Sequence, residues 1–324
     1  MTDNKLTESD GFSQAKNAFC ARVDIAAAFA VKPPPISFII PSFAEGTVGI
    51  LSSPGSAGKS MLAMQLAAGV AGGPVIAKTL GIPTSLQEPS PVFFVAGEDP
   101  DVVLRHRLNA LGELMTDEGR AEVAKNLHMA STVGSGINIC DAAHQAAFLH
   151  VLKEIGPKLV IVDTLSRVHG ADENSNGEMS QVLARFEHVA KATGAGVLIL
   201  HHVSKGAALN GLGDQQQASR GASAIVDNAR FGASLTTMTE KEAPKLEDVT
   251  NPSAGPSGRS IESRDERRLY VRFSIPKSNY GPPIPDQWFR RGKHGVLQPA
   301  TLRALGNKEA KTTKRKRARD VEDA

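Results

Sequence analysis

Residues 51–60, LSSPGSAGKS, contain the residue types of a phosphate-binding loop. The last eight match the pattern G-x-x-x-x-G-K-[ST], except that Ser53 stands at the first glycine position. Because Ser53 precedes Pro54, its backbone is pushed towards extended geometry, so glycine is not required there. Gly55 and Gly58 remain to form the tight curve. The stretch therefore predicts a loop that wraps around phosphate groups.

The sequence around this loop supports that interpretation over a chance Gly/Ser-rich turn. A predicted strand precedes the loop and a predicted helix begins at Lys59 and Ser60, as the motif requires. Backbone N–H groups at a helix start attract anions. Lys59 is predicted to reach the β- and γ-phosphates of a bound nucleotide, and Ser60 to ligate Mg²⁺. The residues predicted to bind the nucleotide are Pro54, Gly55, Ser56, Ala57, Gly58, Lys59, Ser60 and Met61.

Acidic residues follow two further apolar runs. KLVIVDT ends a predicted strand in Asp163, which is expected to hold Mg²⁺ through water; a helix-capping role is the alternative. PVFFVAGEDP places Glu98 and Asp99 just past another strand. One of them is a candidate general base for the water that attacks the γ-phosphate. Glu98 is nearer to the strand end, whereas Asp99 is expected to cap the helix from Asp101, and two capping acids remain the alternative.

Two histidines end the run GVLILHHVSKG. Successive side chains of a strand point to opposite faces, so His201 and His202 are not expected to share a metal. One is expected to face the packed side, and the other to hydrogen-bond the γ-phosphate. Two ordinary polar residues at a strand end are the alternative.

The elements that position these residues form an α/β pattern. Short, nearly all-apolar runs alternate with longer helical stretches from residue 46 to about residue 201, which is typical of parallel strands buried on both faces by helices. After that, strand-like runs follow one another without helices. We therefore predict a mainly parallel twisted sheet flanked by helices, with antiparallel strands at its C-terminal edge.

Composition shifts divide the chain into three regions. Residues 1–41 form an N-terminal segment with a Pro-rich linker, 42–300 the core, and 301–324 a basic, disordered tail, with a surface loop predicted at 240–268. The tail carries eight Lys/Arg and four Asp/Glu, so the net charge of +3 leaves −1 for the remainder.

The remaining composition predicts the cellular compartment. The two cysteines have neither disulfide nor metal-site spacing, the N-terminus is polar and acidic, and no apolar run is as long as a membrane span. These features predict a cytoplasmic location with no membrane partner.

Taken together, these motifs resemble the RecA-like P-loop ATPase core, and they are similar to the RepA-type hexameric replicative DNA helicases of broad-host-range plasmids. The resemblance covers about residues 42–299 and is carried by SPGSAGKSMLAMQLAAGVAGGP, AGEDP, RHRLNALG, VDTLSR, HHVSKGAA, GDQQQASRGASAIVDNAR and KSNYGPP…WFRR.

This resemblance implies a homohexameric ring with ATP and Mg²⁺ between neighbouring subunits, which translocates on single-stranded DNA and unwinds duplex at a plasmid-type origin. The roles given above then fall to Lys59, Ser60, Glu98, Asp163 and His202. An arginine completing the neighbour's site is carried over to Arg230, with Arg107 and Arg220 as further candidates. Other replication-initiation proteins are possible partners.

Two polar, Gly-containing segments leave the same predicted sheet edge, at 204–218 and 169–180. Lys205 and Gln216 in the first are candidates to contact the DNA backbone without reading bases, and mobile surface loops are the alternative. A RecA-like recombinase that forms filaments, and a nucleotide-gated DNA-binding or regulatory protein, are the alternative functions.

Overall fold

The computed structural model describes residues 12–13, 16–17, 19–203, 228–250, 260–261 and 263–305. The chain divides into two compact units, Met1–Ile36 and Ser37–Ala324. The first contains helix α1, Ile25–Ala30, whose N-terminus is capped by the Asp24 carboxylate accepting a hydrogen bond from the Ala27 N–H at 2.9 Å. No residue of α1 is buried.

The second unit contains the sheet and its flanking helices. The strands are β1 Phe38–Ile40, β2 Phe43–Ala44, β3 Val48–Ser53, β4 Val92–Ala96, β5 Leu127–Ser131, β6 Leu159–Asp163, β7 Gly196–His202, β8 Phe231–Thr237, β9 Leu246–Asp248, β10 Tyr270–Ser278, β11 Gln287–Arg291, β12 Leu297–Ala300 and β13 Leu302–Ala304. The helices are α2 Lys59–Leu80, α3 Asp101–Gly112, α4 Asp117–Asn126, α5 Ala142–Ile155, α6 Asn176–Thr193 and α7 Arg264–Arg267. Short 3₁₀ turns lie at Leu165–Arg167, Ala243–Lys245 and Lys293–Gly295.

Within the described residues, nine strands form one sheet in the order β12-β11-β10-β8-β3-β7-β6-β4-β5. The strands from β8 to β5 pair in parallel, and β10, β11 and β12 pair antiparallel at the other edge. The α/β fold class with an antiparallel C-terminal edge is confirmed.

Both faces of the sheet are covered, which explains the apolar runs. On β6, Leu159 and Ile161 pack with α2, α3 and α4, whereas Val160 and Val162 pack with α5 and α6. Helix α2 has a mean hydropathy of 1.5 over its most apolar window and is long enough to cross a membrane, but 83% of that window is buried inside the protein. Its apolar composition therefore belongs to a core helix.

Several elements differ from the sequence-based expectation. The strand β5 was not predicted, because its residues are only partly buried and do not form an apolar run. The interval predicted as a surface loop, 240–268, contains β9 and α7, and β9 pairs with β13 in the region predicted as the basic tail. Met238, Ala243, Ile261 and Tyr270 form a small core there. The loop prediction is thus corrected for the described residues, and the tail beyond Leu305 lies outside them.

A buried glutamine joins α2 to the antiparallel edge. Gln65 is fully buried; its Nε2 donates to the Leu297 carbonyl and its Oε1 accepts from the Leu297 N–H, both at 2.8 Å. Since Gln65 lies two turns after the start of α2, this pair fixes β12 against the helix that begins at the candidate phosphate loop.

We predict that Gln65→Ala destabilises the protein by about 2–4 kcal/mol, because it leaves the buried N–H and C=O of Leu297 without partners. Urea unfolding measures the loss of stability: the midpoint should fall while the dependence of the unfolding free energy on urea concentration stays unchanged. Gln181→Ala is the matched control, since Gln181 is an exposed helical glutamine. Equal, small changes in the two variants would contradict the importance of this pair.

Candidate active site

The predicted phosphate loop connects β3 to α2. Ser53 ends the strand, and the turn that follows is closed by the Ala57 N–H donating to the Pro54 carbonyl at 3.3 Å. Ser56 and Gly58 have positive φ values of 66° and 95°. Gly58 is the N-cap residue of α2, and no side chain caps the helix. The first N–H groups of α2 are therefore available to an anion.

Lys59 is a buried cation at the start of α2. Only 4% of the residue is exposed, and its Nζ lies 3.5 Å from the Thr164 hydroxyl. Burial lowers the pKa of Lys59 to about 8, against the attraction of Asp163 and Glu98, which raises it. A desolvated ammonium held beside a hydroxyl fits a phosphate ligand, which would supply the missing counter-charge.

Asp163 ends β6 on the same face of the sheet and is 3% exposed. Burial raises the pKa of its carboxyl, whereas a hydrogen bond with Ser60 and the charge of Lys59 lower it. Its buried Oδ1 has no hydrogen-bond partner among the described residues.

Ser60 and Asp163 fit a magnesium ion that is bound jointly with phosphate. No group of three or more His, Cys, Asp or Glu in the described part of the chain could hold a metal by itself. Mg²⁺ in nucleotide sites is bound by one or two protein oxygens, with phosphates and water completing its shell. The Ser60 hydroxyl and the unbonded Asp163 oxygen are such ligands, and the bound ion would neutralise phosphate charge.

Glu98 lies at the mouth of the site, just past β4. Its carboxylate is 3.7 Å from His202 Nε2 and 3.8 Å from Arg167 Nε, and its side chain is 35% exposed. Asp99 instead forms an ion pair with Arg107 of α3. The expected capping role of Asp99 is wrong, since Pro100 is the N-cap residue of α3 and no side chain caps that helix. Glu98 remains the better-placed candidate base.

The two histidines divide as expected between the faces of β7. His201 is 4% exposed, and burial, followed by the charge of Lys59, lowers its pKa to about 4, so it is neutral at pH 7. The His202 side chain is 44% exposed and points to Glu98. His202 is therefore the histidine that a γ-phosphate could contact, and this role stays a prediction.

Arg230 lies at the N-terminal ends of the parallel strands, whereas the phosphate loop follows their C-terminal ends. It immediately precedes β8, which runs parallel to β3 with Phe231 opposite Gly49. At about 3.3 Å per residue, the level of Arg230 is roughly 17 Å from that of Ser53. Arg230 is exposed, because the strand begins only at the next residue. It is badly placed to serve its own loop.

The other candidates stand differently. Arg107 is engaged with Asp99 of the same chain, and its role towards a neighbour stays a prediction. Lys205, Gln216 and Arg220 lie outside the described residues. In the second candidate DNA segment, 169–180, the Ser175 hydroxyl caps α6, so the non-helical part ends there.

Three side chains near the site were missed by sequence reasoning. Thr164 contacts Lys59 and donates to the Leu200 carbonyl at 2.6 Å. Arg167 lies beside Glu98. Both follow Asp163 within VDTLSR, so their closeness in sequence was an available signal. Arg291 approaches Gly58, and the local sequence does not predict that contact.

Comparison with known proteins agrees with this geometry. The family model described as "AAA domain" matches residues 15–208, more than half of the chain, and the chain belongs to this family. Among solved structures it is similar to the KaiC-like protein PH0186 of the hyperthermophilic archaeon Pyrococcus horikoshii OT3, with a TM-score of 0.50 and 16% identity over 82% of this chain and 99% of that one. At this identity the likeness supports the fold alone. The family, fold and phosphate loop together define a RecA-like, nucleotide-binding P-loop ATPase.

The lowered pKa of Lys59 predicts that nucleotide binding takes up a proton at alkaline pH. Without nucleotide, Lys59 loses its proton as the pH rises through about 8. Bound phosphate favours the charged form and raises this pKa, so ADP affinity should fall by up to about tenfold per pH unit above it. Calorimetry in two buffers of different ionisation enthalpy measures the uptake.

The control is Lys59→Arg, since an arginine stays protonated over this range. This variant should show neither the proton uptake nor the alkaline loss of affinity from this position. The same uptake in both proteins would place the titrating group elsewhere.

Proposed function

We propose that this ATPase is a ring-shaped replicative DNA helicase of the bacterial cytoplasm. It would hydrolyse ATP between neighbouring subunits to translocate on single-stranded DNA and unwind duplex at a plasmid-type origin. Its expected partners are single-stranded and duplex DNA, further copies of itself in a hexamer, and other replication-initiation proteins. The proposal combines the ATPase fold with the sequence resemblance to RepA-type helicases.

The observation that carries the proposal is the position of His202 beside Glu98. His202 ends β7 and is 3.7 Å from the candidate base. Two residues later the chain enters 204–218, which holds the candidate DNA contacts Lys205 and Gln216. A side chain that contacts the γ-phosphate at this point would link the state of the nucleotide to the segment proposed to hold DNA.

The location of Arg230 supports a site shared between subunits. A phosphoryl-transfer site gains from a second cation that stabilises charge in the transition state. Because Arg230 is exposed and lies at the far edge of its own sheet, a neighbouring subunit is the natural place for it to act. This arrangement makes hydrolysis depend on assembly.

In this site the chain's own residues divide the chemistry. Lys59 and the N–H groups that begin α2 bind and orient the phosphates. Ser60 and Asp163 would hold the magnesium ion, which would neutralise phosphate charge. Glu98 accepts the proton of the attacking water, and Arg167 and His202, each within 4 Å of its carboxylate, fix its orientation.

We predict that the wild-type protein displaces a labelled strand from a forked duplex only when ATP is present. Glu98→Gln should still bind ATP but hydrolyse it about 10²–10⁴-fold more slowly, because the general base is lost, and it should not unwind. Strand displacement, ATP hydrolysis and ATP binding are measured on the same preparations.

Asp99→Asn is the matched control, because Asp99 is the adjacent acid and pairs with Arg107. If Asp99→Asn loses ATP hydrolysis while Glu98→Gln keeps it, the assignment of the base is wrong. ATP hydrolysis without strand displacement would contradict the helicase. In that case, filaments in negative-stain images would favour a recombinase. DNA binding that depends on the bound nucleotide would favour a regulatory protein.

We predict that Arg230 acts in trans. Alone, Arg230→Ala should lower ATP hydrolysis by about 10³–10⁵-fold, as expected for an arginine finger, and Lys59→Ala should also be inactive. Mixed, the two should regain activity, because roughly a quarter of randomly assembled interfaces pair an intact loop with an intact arginine.

Arg185→Ala, which removes an exposed arginine on α6, is the control and should keep wild-type activity alone. If subunits exchange and Arg230→Ala stays folded but no mixture recovers, the trans role is refuted.

A further inference from the structure

Arg291 reaches the phosphate loop from the antiparallel edge of the sheet. It ends β11, two residues after Phe289, which is buried in the core on the α2 side, so both side chains lie on the same face. A Cβ placed on Gly58 would lie 3.7 Å from Nη1 and 3.8 Å from Cζ of Arg291. The guanidinium is therefore beside the glycine at which α2 begins.

The fold holds Arg291 in this position from several sides. Arg291 is directly opposite Leu297 in the β11–β12 ladder, and Gln65 of α2 binds both backbone groups of Leu297. Leu297 Cδ2 lies 3.8 Å from the same Cβ position on Gly58. The backbone N–H of Arg291 donates to the Leu269 carbonyl at 2.7 Å. The arginine and the loop are thus tied to one helix.

The charge of Arg291 is not balanced in the part of the chain that the structure describes. Its Nε is buried without a hydrogen-bond partner, and desolvation alone lowers the pKa of the guanidinium. Asp163 and Glu98 act on Lys59, but no carboxylate offsets the desolvation of Arg291. Since a desolvated cation is costly, an anion is expected beside it, away from the two acids.

We propose that Arg291 is a nucleotide-binding residue that contacts the α- or β-phosphate of the ATP bound to its own subunit. The loop at Gly58 supplies backbone N–H groups to this part of the phosphate chain, and the guanidinium adds two donors in a planar fork. The γ-phosphate of a bound nucleotide would then lie towards Lys59, Asp163 and Glu98. The proposal rests on the nucleotide-binding role of the loop and not on DNA unwinding.

A purely structural role is the competing explanation, in which Arg291 only packs β11 against the loop. Stability alone cannot separate the two roles, because either would be affected by truncation. Affinity for phosphate ligands can, since only a direct contact discriminates between ligands. Pyrophosphate is the informative probe: it carries the phosphates without a base on which an arginine could stack.

The test measures dissociation constants of ATP, ADP and pyrophosphate by calorimetry with Mg²⁺. Arg291→Gln should weaken all three by a similar factor of about 10- to 100-fold, as expected for one charge-assisted hydrogen-bonding group. Arg290→Gln is the matched control, because the neighbouring residue on β11 has the same charge and faces the other side of the sheet; it should bind as wild type does.

The outcomes separate this inference from the ATPase assignment. Lys59→Ala should abolish binding, and if the wild-type protein binds none of the three ligands, the phosphate loop itself is misassigned. If Lys59→Ala loses binding while Arg291→Gln keeps it, only the role of Arg291 is refuted. Weakening of ATP alone would move the contact to the γ-phosphate, and unchanged pyrophosphate binding would point to the base; either would overturn the proposal.

Should Arg291→Gln fail to fold, Arg291→Lys provides the same test, because it keeps the charge and loses the planar fork. It should weaken ADP and pyrophosphate by about threefold or more relative to Arg290→Lys, since one point charge replaces a bidentate donor. Equal affinities in the two lysine variants would overturn the assignment.

Discussion

The site depends on keeping the buried ammonium group of Lys59 charged without pairing it directly with a carboxylate. Lys59 is 4% exposed, yet among the described residues its Nζ hydrogen-bonds to the Thr164 hydroxyl, at 3.5 Å, and not to a carboxylate. Asp163 and Glu98 are close enough to stabilise the charge, although neither forms an ion pair with it among the described residues. A direct carboxylate partner would compete with phosphate, whereas more distant acids would raise the pKa of Lys59 less against its desolvation. The position of the acids is therefore as constrained as that of the lysine.

The parallel sheet meets this constraint by bringing several strand ends to one place. Strands β3, β6 and β7 end in Ser53, Asp163 and His202, and Glu98 follows β4 by two residues. Because the strands pair in parallel, these ends lie at the same end of the sheet, which places the acids near Lys59. The same parallel order sends the start of β8, and with it Arg230, to the opposite edge. One topology thus assembles most of the site and keeps one cation away from it.

How much the sequence predicted depends on whether the signal was local. The loop, the strands β3, β4, β6 and β7 and their terminal residues are read from continuous stretches, and Ser53 simply continues the strand. Strand β5 has no apolar run to reveal it. The capping role of Asp99 was wrong because the N-cap position is one residue later, at Pro100, and the Asp99 carboxylate pairs with Arg107 within that helix. The contact of Arg291 with Gly58 spans more than two hundred residues, and only the packing of β12 on α2 creates it.

The two arginines outside the loop suggest how binding and chemistry are separated. Arg291 belongs to the same packed unit as the loop, through Gln65 and Leu297, so its contribution to phosphate binding is available in a single subunit. Arg230 is exposed at the opposite end of the sheet, so in the proposed ring it would act on a nucleotide bound by a neighbour. In the proposed ring, a lone subunit would therefore hold nucleotide but hydrolyse it slowly. Assembly would supply the missing charge at the moment of transfer, which protects ATP from futile hydrolysis before the ring is complete.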